Sequence, residues 1–117
     1  NIISKTNHTK IYNFCQNKSI AESAFLIKKS KLVLTNDTGM MHIASALNLP
    51  IISFWGCTKP SLGFYPYKAN KKSKNIITSK STLPCSKHGK ICRFNLNGCI
   101  KEIDPQIIYS NLLRLLK

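Results

Sequence analysis

The fold is decided by residues 32–47, which read LVLTNDTGMMHIASAL. Three apolar residues lead into a polar turn around Gly39, and helical periodicity resumes from Met40 to Leu47. A short apolar run with polar residues on both sides is typical of a strand that is buried on both faces in a parallel sheet. The segment therefore predicts a buried strand, a turn and a helix, in that order.

Further elements are predicted on both sides of this segment. Upstream, residues 10–15 alternate loosely between apolar and polar and predict a short strand. Ser19 and Glu22 then have the spacing of a capping box, in which each side chain satisfies a free amide at a helix start. This helix is predicted to run to about Ser30. Downstream, residues 51–55 predict a second buried strand and residues 74–78 predict a further one.

The chain is predicted to end in an amphipathic helix over residues 105–116. Asp104 supplies an N-cap, and Pro105 takes the first helical position, where its missing N–H has no cost. Five apolar residues are predicted to share one face: Ile107, Ile108, Leu112, Leu115 and Leu116. Alternating strands and helices indicate the α/β class, a Rossmann-like parallel sheet flanked by helices. The predicted domain spans residues 1–117, with about four strands. The chain lacks an initial Met, so a processed chain or a piece of a longer protein is expected.

Composition narrows the function classes. The 117 residues are 43% hydrophobic, with a mean hydropathy of -0.12, which excludes a disordered chain. The 18 basic residues against 4 acidic ones give a formal charge of +14, which favours anionic partners. Arginine is the preferred residue for bidentate hydrogen bonds to base edges and phosphates, and it occurs only as Arg93 and Arg114. This argues against specific nucleic-acid recognition. A basic module that binds nucleic acid or an anionic membrane is kept as an alternative function.

The turn after the central strand carries the candidate chemistry. Ligands of open parallel sheets bind at the carboxyl ends of the strands. The free amides of Thr38, Gly39 and Met40, together with the positive helix end, make a cradle for phosphate. His42, in the first helical turn, is placed to hydrogen-bond an anion, and Asp37 either caps the helix or holds a ligand hydroxyl. Ordinary helix capping without a ligand is the alternative explanation of the same residue types.

The motifs taken together resemble glycosyltransferase family 9, the ADP-heptose:lipopolysaccharide heptosyltransferases and their relatives. The C-terminal domain of that family reads D-[ST]-G-x-x-H-[IL]-A-[AS]-A, which residues 37–46 match. An apolar strand and G-P-[ST]-x-P follow in the family; residues 56–60 correspond, with Cys57 in place of proline. Residues 17–22 resemble the family's G-K-[TS]-x-x-E helix, and the later cysteines resemble a cysteine-bearing tail. The likeness covers residues 12–117.

The resemblance implies the C-terminal, donor-binding half of a GT-B glycosyltransferase that uses ADP-heptose and needs no metal for the reaction. Six residues would then bind the donor: Asp37, Thr38, Gly39, Met40, His42 and Thr58. His42 would stabilise the leaving diphosphate, and a lipopolysaccharide (lipid A–core) acceptor would attack the anomeric carbon. The resemblance places the general base in an N-terminal domain, so this chain alone is expected to be inactive. It also implies a cytoplasmic location at the inner face of the bacterial inner membrane. A related GT-B enzyme with another nucleotide sugar is the alternative.

Five cysteines, an odd number, do not indicate a simple disulfide framework. Three of them lie in a loop predicted over residues 79–101, where Cys85, His88, Cys92 and Cys99 form C-x2-H-x3-C-x6-C. These residue types suit tetrahedral zinc, although the spacing is not a standard one. Reduced thiols that pack the loop and a disulfide are the two alternatives.

Overall fold

Three parallel strands flanked by three α-helices make up the regular structure of the described residues. The computed structural model describes residues 10–15, 18–94 and 98–117. The elements in chain order are α1 (Ile20–Lys28), β1 (Val33–Asn36), α2 (Gly39–Ala46), β2 (Ile51–Trp55), β3 (Lys74–Ile77) and α3 (Pro105–Leu116), with 3-10 turns at Pro60–Leu62 and Cys99–Glu102. The sheet order is β1-β2-β3, with all pairs parallel. The predicted α/β class with a Rossmann-like sheet is confirmed.

Strand β2 forms the centre of the molecule because both of its faces are covered. On one face, Ile51 and Trp55 pack with Met41 and Ala44 of α2. On the other face, Ile52 packs in a second cluster with apolar residues of β3, the Cys99–Glu102 turn region and α3: Ile76, Ile103, Ile108, Leu112 and Leu115. This alternation follows from strand geometry, in which successive side chains point to opposite faces. The buried strand predicted at residues 51–55 is therefore confirmed.

Strand β1 differs from its prediction. It was expected to be buried on both faces, but its side chains alternate between half-buried and exposed, and Leu34 is 47% exposed. The reason is topological, since within the described sheet β1 pairs with β2 alone. The apolar residues correctly predicted a strand here, but the prediction that both of its faces are buried is wrong.

The strand predicted over residues 10–15 is also wrong. These residues are exposed and form no strand, and the Tyr12 and Phe14 rings stack with their centroids 6.4 Å apart. A strand needs a partner to satisfy its backbone groups, and none of the described strands pairs with this segment. Loose alternation of apolar and polar residues over only six positions is therefore too weak a pattern to predict a strand.

The helix caps follow the sequence closely. Ser19 and Glu22 form the complete capping box at α1, which ends at Lys28, with Lys29 as the C-cap. At α3, the amide of Gln106 donates to the Asp104 carboxylate over 2.9 Å, as the N-cap prediction requires. The predicted apolar face of α3 is narrower than expected, because Ile107 and Leu116 are about half exposed while Ile108, Leu112 and Leu115 pack on the sheet.

The capping box makes the stability of α1 depend on pH. Hydrogen bonds from the backbone and hydroxyl of Ser19, followed by the nearby charge of Lys18, hold the pKa of Glu22 below its usual value of 4.5. A depressed carboxyl pKa contributes stability above the unfolded-state value and loses it as the pH falls through the folded-state value. Glu22→Gln should therefore unfold at a lower urea concentration than the parent chain at about pH 7. The difference should be modest, because Glu22 is exposed, and should be smaller at about pH 3, below the usual carboxyl pKa. An equal gap at both pH values would contradict this role of the charge.

The described residues include no helix with the length and apolar content needed to cross a membrane.

Candidate functional site

The candidate site lies at the carboxyl edge of the sheet, where two turns leave neighbouring strands. Asn36, the last residue of β1, is in register with Phe54 of β2. The turn from Asp37 to Gly39 and the turn from Gly56 to Thr58 therefore start side by side. The sheet thus brings together two segments that are about 20 residues apart in the sequence. This is the edge at which open parallel sheets bind ligands.

The start of α2 is open to ligand. Thr38 is its N-cap, with extended backbone, but the Thr38 hydroxyl does not cap the helix; it lies 3.1 Å from the Thr35 hydroxyl instead. No described backbone carbonyl accepts from the amides of Gly39 and Met40, and both residues are exposed. A Cβ added at Gly39 would meet no atom within 4 Å. The helix start therefore offers unpaired donors and free space, the two requirements of an anion cradle.

A cavity of about 260 Å³ lies next to this helix start. Its wall is formed by the two turns and by the cysteine loop, through Asn36, Asp37, Phe54, Gly56, Cys57, Thr58, His88, Gly89, Gly98, Cys99 and Ile100. Two of the sequence-predicted donor residues, Asp37 and Thr58, face this one cavity. The other four, Thr38, Gly39, Met40 and His42, are not part of its wall and lie on or beside the start of α2, with His42 exposed.

The structure gives Asp37 no capping role at α2. The N-cap is Thr38, and no described amide donates to the Asp37 carboxylate. Asp37 is half-buried and lines the cavity, so its oxygens remain available to a ligand hydroxyl. Helix capping is thereby excluded as the function of this side chain.

Lys59 has a structural role that the sequence did not reveal. It is 1% exposed, and its Nζ donates to the carbonyl of Gly56 over 2.8 Å, which closes the turn after β2 on itself. Gly56 in turn lies against the cysteine loop, since a Cβ added there would stand 3.2 Å from Cβ of Ile100. The turn is therefore stabilised by its own lysine, and it also packs against the segment that carries Cys99.

Four cysteine sulfurs converge beside the cavity. The Sγ atom of Cys99 lies 3.1 Å from that of Cys92, 3.4 Å from that of Cys85 and 3.9 Å from that of Cys57. All four sulfurs lie within 4.8 Å of one another, and no disulfide joins any of them. Burial raises the pKa of the Cys57 and Cys99 thiols above the ordinary range.

This cluster corrects the sequence-predicted metal set. Cys85, Cys92 and Cys99 come together, as their spacing suggested, but His88 is exposed and is not among the four converging side chains. Its place is taken by Cys57, which is 28 residues upstream of Cys85. The spacing of cysteines within one loop could not reveal a fourth cysteine that comes from a different turn. The available signal was the position of Cys57 directly after a buried strand, at the same sheet edge as the candidate site.

With this geometry established, the comparison with known proteins decides the family. Glycosyltransferase family 9 (heptosyltransferase) matches residues 1–95 of the chain. The chain belongs to glycosyltransferase family 9. The matched range includes the α2 helix start, both turns of the candidate site and three of the four clustered cysteines.

Curated relatives agree with this assignment. Lipooligosaccharide heptosyltransferase 2 of Campylobacter jejuni (strain 81116) is 26% identical over 97% of this chain and 34% of its own length. The Haemophilus influenzae protein of the same name is 40% identical over 44% of this chain and 16% of its own length. Lipopolysaccharide heptosyltransferase 2 of Escherichia coli K12 is 35% identical over 41% and 14%, respectively. This family 9 chain thus spans about a third of the length of its C. jejuni relative. No solved structure matches it significantly.

Proposed function

We propose that this chain is the donor-binding part of a heptosyltransferase, which holds ADP-heptose while the heptose is transferred to the inner core of lipopolysaccharide. Family membership supports a glycosyltransferase, and the names of the relatives support heptose and lipopolysaccharide. The observation that carries the donor site is the open start of α2, where unpaired amides meet the free space at Gly39. A diphosphate is an anion of the kind that such a helix start binds.

Each candidate residue has a distinct role in this proposal. The amides of Thr38, Gly39 and Met40 donate to the diphosphate, and His42 donates to the same group from the first helical turn. Asp37 accepts from a sugar or ribose hydroxyl, because its carboxylate faces the cavity without a capping role. Thr58 lines the same cavity and donates its hydroxyl to the donor.

The reaction follows from these roles. An oxygen of the acceptor forms a bond to the anomeric carbon while the bond from that carbon to the diphosphate breaks, and the acceptor proton goes to a general base. Negative charge grows on the departing ADP, and donors that are already oriented stabilise it without reorganisation. We place the general base in an N-terminal half of the full-length enzyme, so this chain alone binds donor without turning it over. The full enzyme would work at the inner face of the bacterial inner membrane, where its lipid-linked acceptor is accessible.

Calorimetric titration with ADP tests the donor site. The chain should bind one ADP saturably, and His42→Ala should weaken binding by about 10–100-fold, since a hydrogen bond to a charged group contributes about 1.5–3 kcal/mol. Lys71→Ala removes an exposed cation outside the site and should leave the affinity unchanged. A panel of UDP, GDP and ADP distinguishes an adenine-nucleotide donor from uridine- and guanosine-nucleotide sugars.

The charge of +14 supports one competing function, a basic module that binds polyanions. That module would bind heparin or DNA as well as ADP, would lose affinity steeply with added salt, and would respond alike to His42→Ala and Lys71→Ala. Such a pattern would replace the donor-site proposal.

A further inference from the structure

The convergence of four cysteines from three segments points to a metal. We propose that Cys57, Cys85, Cys92 and Cys99 bind one structural Zn²⁺ ion through four thiolates. On binding, four S–Zn bonds form and the four thiol protons are released to solvent. The site is independent of the donor-site proposal.

The sulfur positions fit a tetrahedral ion. Four sulfurs at about 2.3 Å from zinc stand about 3.8 Å apart. The three distances from Cys99 are 3.1, 3.4 and 3.9 Å, and no pair in the cluster exceeds 4.8 Å. A set of four sulfurs is selective for zinc or iron over oxygen-binding cations such as Mg²⁺. Four protein ligands also leave no open coordination position, which is the property of structural rather than catalytic zinc.

The chain around the cluster needs such a link. Between the end of β3 and Cys99, the described residues form no helix or strand, and loops longer than about 12–15 residues without structure are uncommon in compact domains. Outside the cysteine cluster, the contacts of the described part of this loop region with its neighbours include a hydrogen bond from the amide of Cys85 to the carbonyl of Cys57 and an ion pair of Lys80 with Glu102 at 2.9 Å. A metal bound by the turn after β2, the loop and the Cys99–Glu102 turn would join all three segments at one point.

The charge of the loop suits a zinc–thiolate centre. Zn²⁺ with four thiolates carries a net charge of −2. Residues 79–101 contain no acidic residue and five cations, which are Lys80, Lys87, Lys90, Arg93 and Lys101. An excess of cations on the segment that carries three of the four ligands offsets the charge of the centre.

The site also determines the shape of the neighbouring cavity. Cys57 and Cys99 both line that cavity, and Gly56 and Ile100, one residue from each, are in close contact. Fixing the two sulfurs therefore fixes two walls of the cavity. If the cavity binds the nucleotide sugar, as proposed above, zinc organises the donor pocket from outside the reaction.

Metal analysis of the purified chain tests the site. Inductively coupled plasma mass spectrometry should find about one zinc per chain, and thiol titration of the chelated, denatured chain should find all five cysteines reduced. Cys57→Ser should weaken zinc binding at least about 100-fold in a chelator competition, because even loss of an outer-sphere partner costs about 10–100-fold. Cys15→Ser, which changes an exposed cysteine outside the cluster, should retain the metal.

Two further variants keep the test decisive. His88→Ala should retain zinc, whereas zinc lost from His88→Ala and kept by Cys57→Ser would overturn this ligand set in favour of the loop spacing. If Cys57→Ser fails to fold, Cys57→His is the informative variant. It keeps four ligands, because histidine also binds zinc, and it should therefore fold and bind zinc. A wild-type chain that takes up no zinc when zinc is added, that contains iron instead, or that shows one free thiol and two disulfides would overturn the proposal.

Discussion

Replacing Trp55 with alanine is expected to lower the free energy of unfolding by about 3–5 kcal/mol. Trp55 has no exposed surface and fills the space between β2 and α2 together with Met41, Ala44 and Ile51. Removing a side chain of this size leaves a cavity that the surrounding helix and strand close only in part. Domains are stable by about 5–15 kcal/mol, so this loss removes a large share of the total stability and should clearly lower the midpoint of unfolding.

The matched control is Trp55→Phe, which keeps an aromatic ring but removes the indole N–H. That group donates to the Ser53 hydroxyl over 2.9 Å, and the Ser53 hydroxyl donates to Asn75 of β3 over 2.5 Å. The loss of one hydrogen bond and a small volume should cost less than the full truncation. Urea unfolding followed by far-ultraviolet circular dichroism measures both, because Trp55 is the only tryptophan and its fluorescence is lost. A loss below about 1 kcal/mol in Trp55→Ala would contradict a core centred on this residue.

Local signals in the sequence predicted the regular elements well. The capping residues Ser19, Glu22 and Asp104 marked helix starts correctly, because caps act over a few residues and need no tertiary partner. The apolar stretch at residues 51–55 was correctly assigned to a buried strand. The order of strands across the sheet was not available from such signals, and so β1 was expected to be buried on both faces although Leu34 is exposed.

The candidate site could be predicted only where its residues are close in sequence. The segment containing Asp37, Gly39 and His42 was found from one motif, and the structure places it at the expected edge of the sheet. The fourth member of the cysteine cluster was missed because its partners come from outside the local pattern. The burial of Lys59 was missed although its partner, Gly56, is only three residues away, because a lysine in a turn gives no sequence signal that it is buried. Contacts between distant segments depend on how the sheet aligns its turns, which periodicity and spacing do not encode.

Gly39→Leu is expected to abolish most ADP binding while leaving the fold intact. The fold does not require glycine here, since the backbone of Gly39 lies outside the left-handed region and an added Cβ meets no atom within 4 Å. Glycine inside a helix is less favourable than alanine by about 1 kcal/mol, so Gly39→Ala should be as stable as the parent or more stable. A leucine side chain would fill the space through which a phosphate reaches the amides of α2. Affinity for ADP should therefore fall by about 10–100-fold, the cost of one or more lost charge-assisted hydrogen bonds.

Gly63 provides the opposite control. It also has no atom within 4 Å of an added Cβ, but its φ of +86° lies in the left-handed region, and it is not part of the cavity wall. Gly63→Ala should therefore lose about 1 kcal/mol of stability from backbone strain and bind ADP as the parent does. Urea unfolding and calorimetric titration of both variants separate the two effects. No other described feature explains a glycine at position 39. A Gly39→Leu chain that is folded and binds ADP with unchanged affinity would therefore show that the diphosphate does not approach the start of α2.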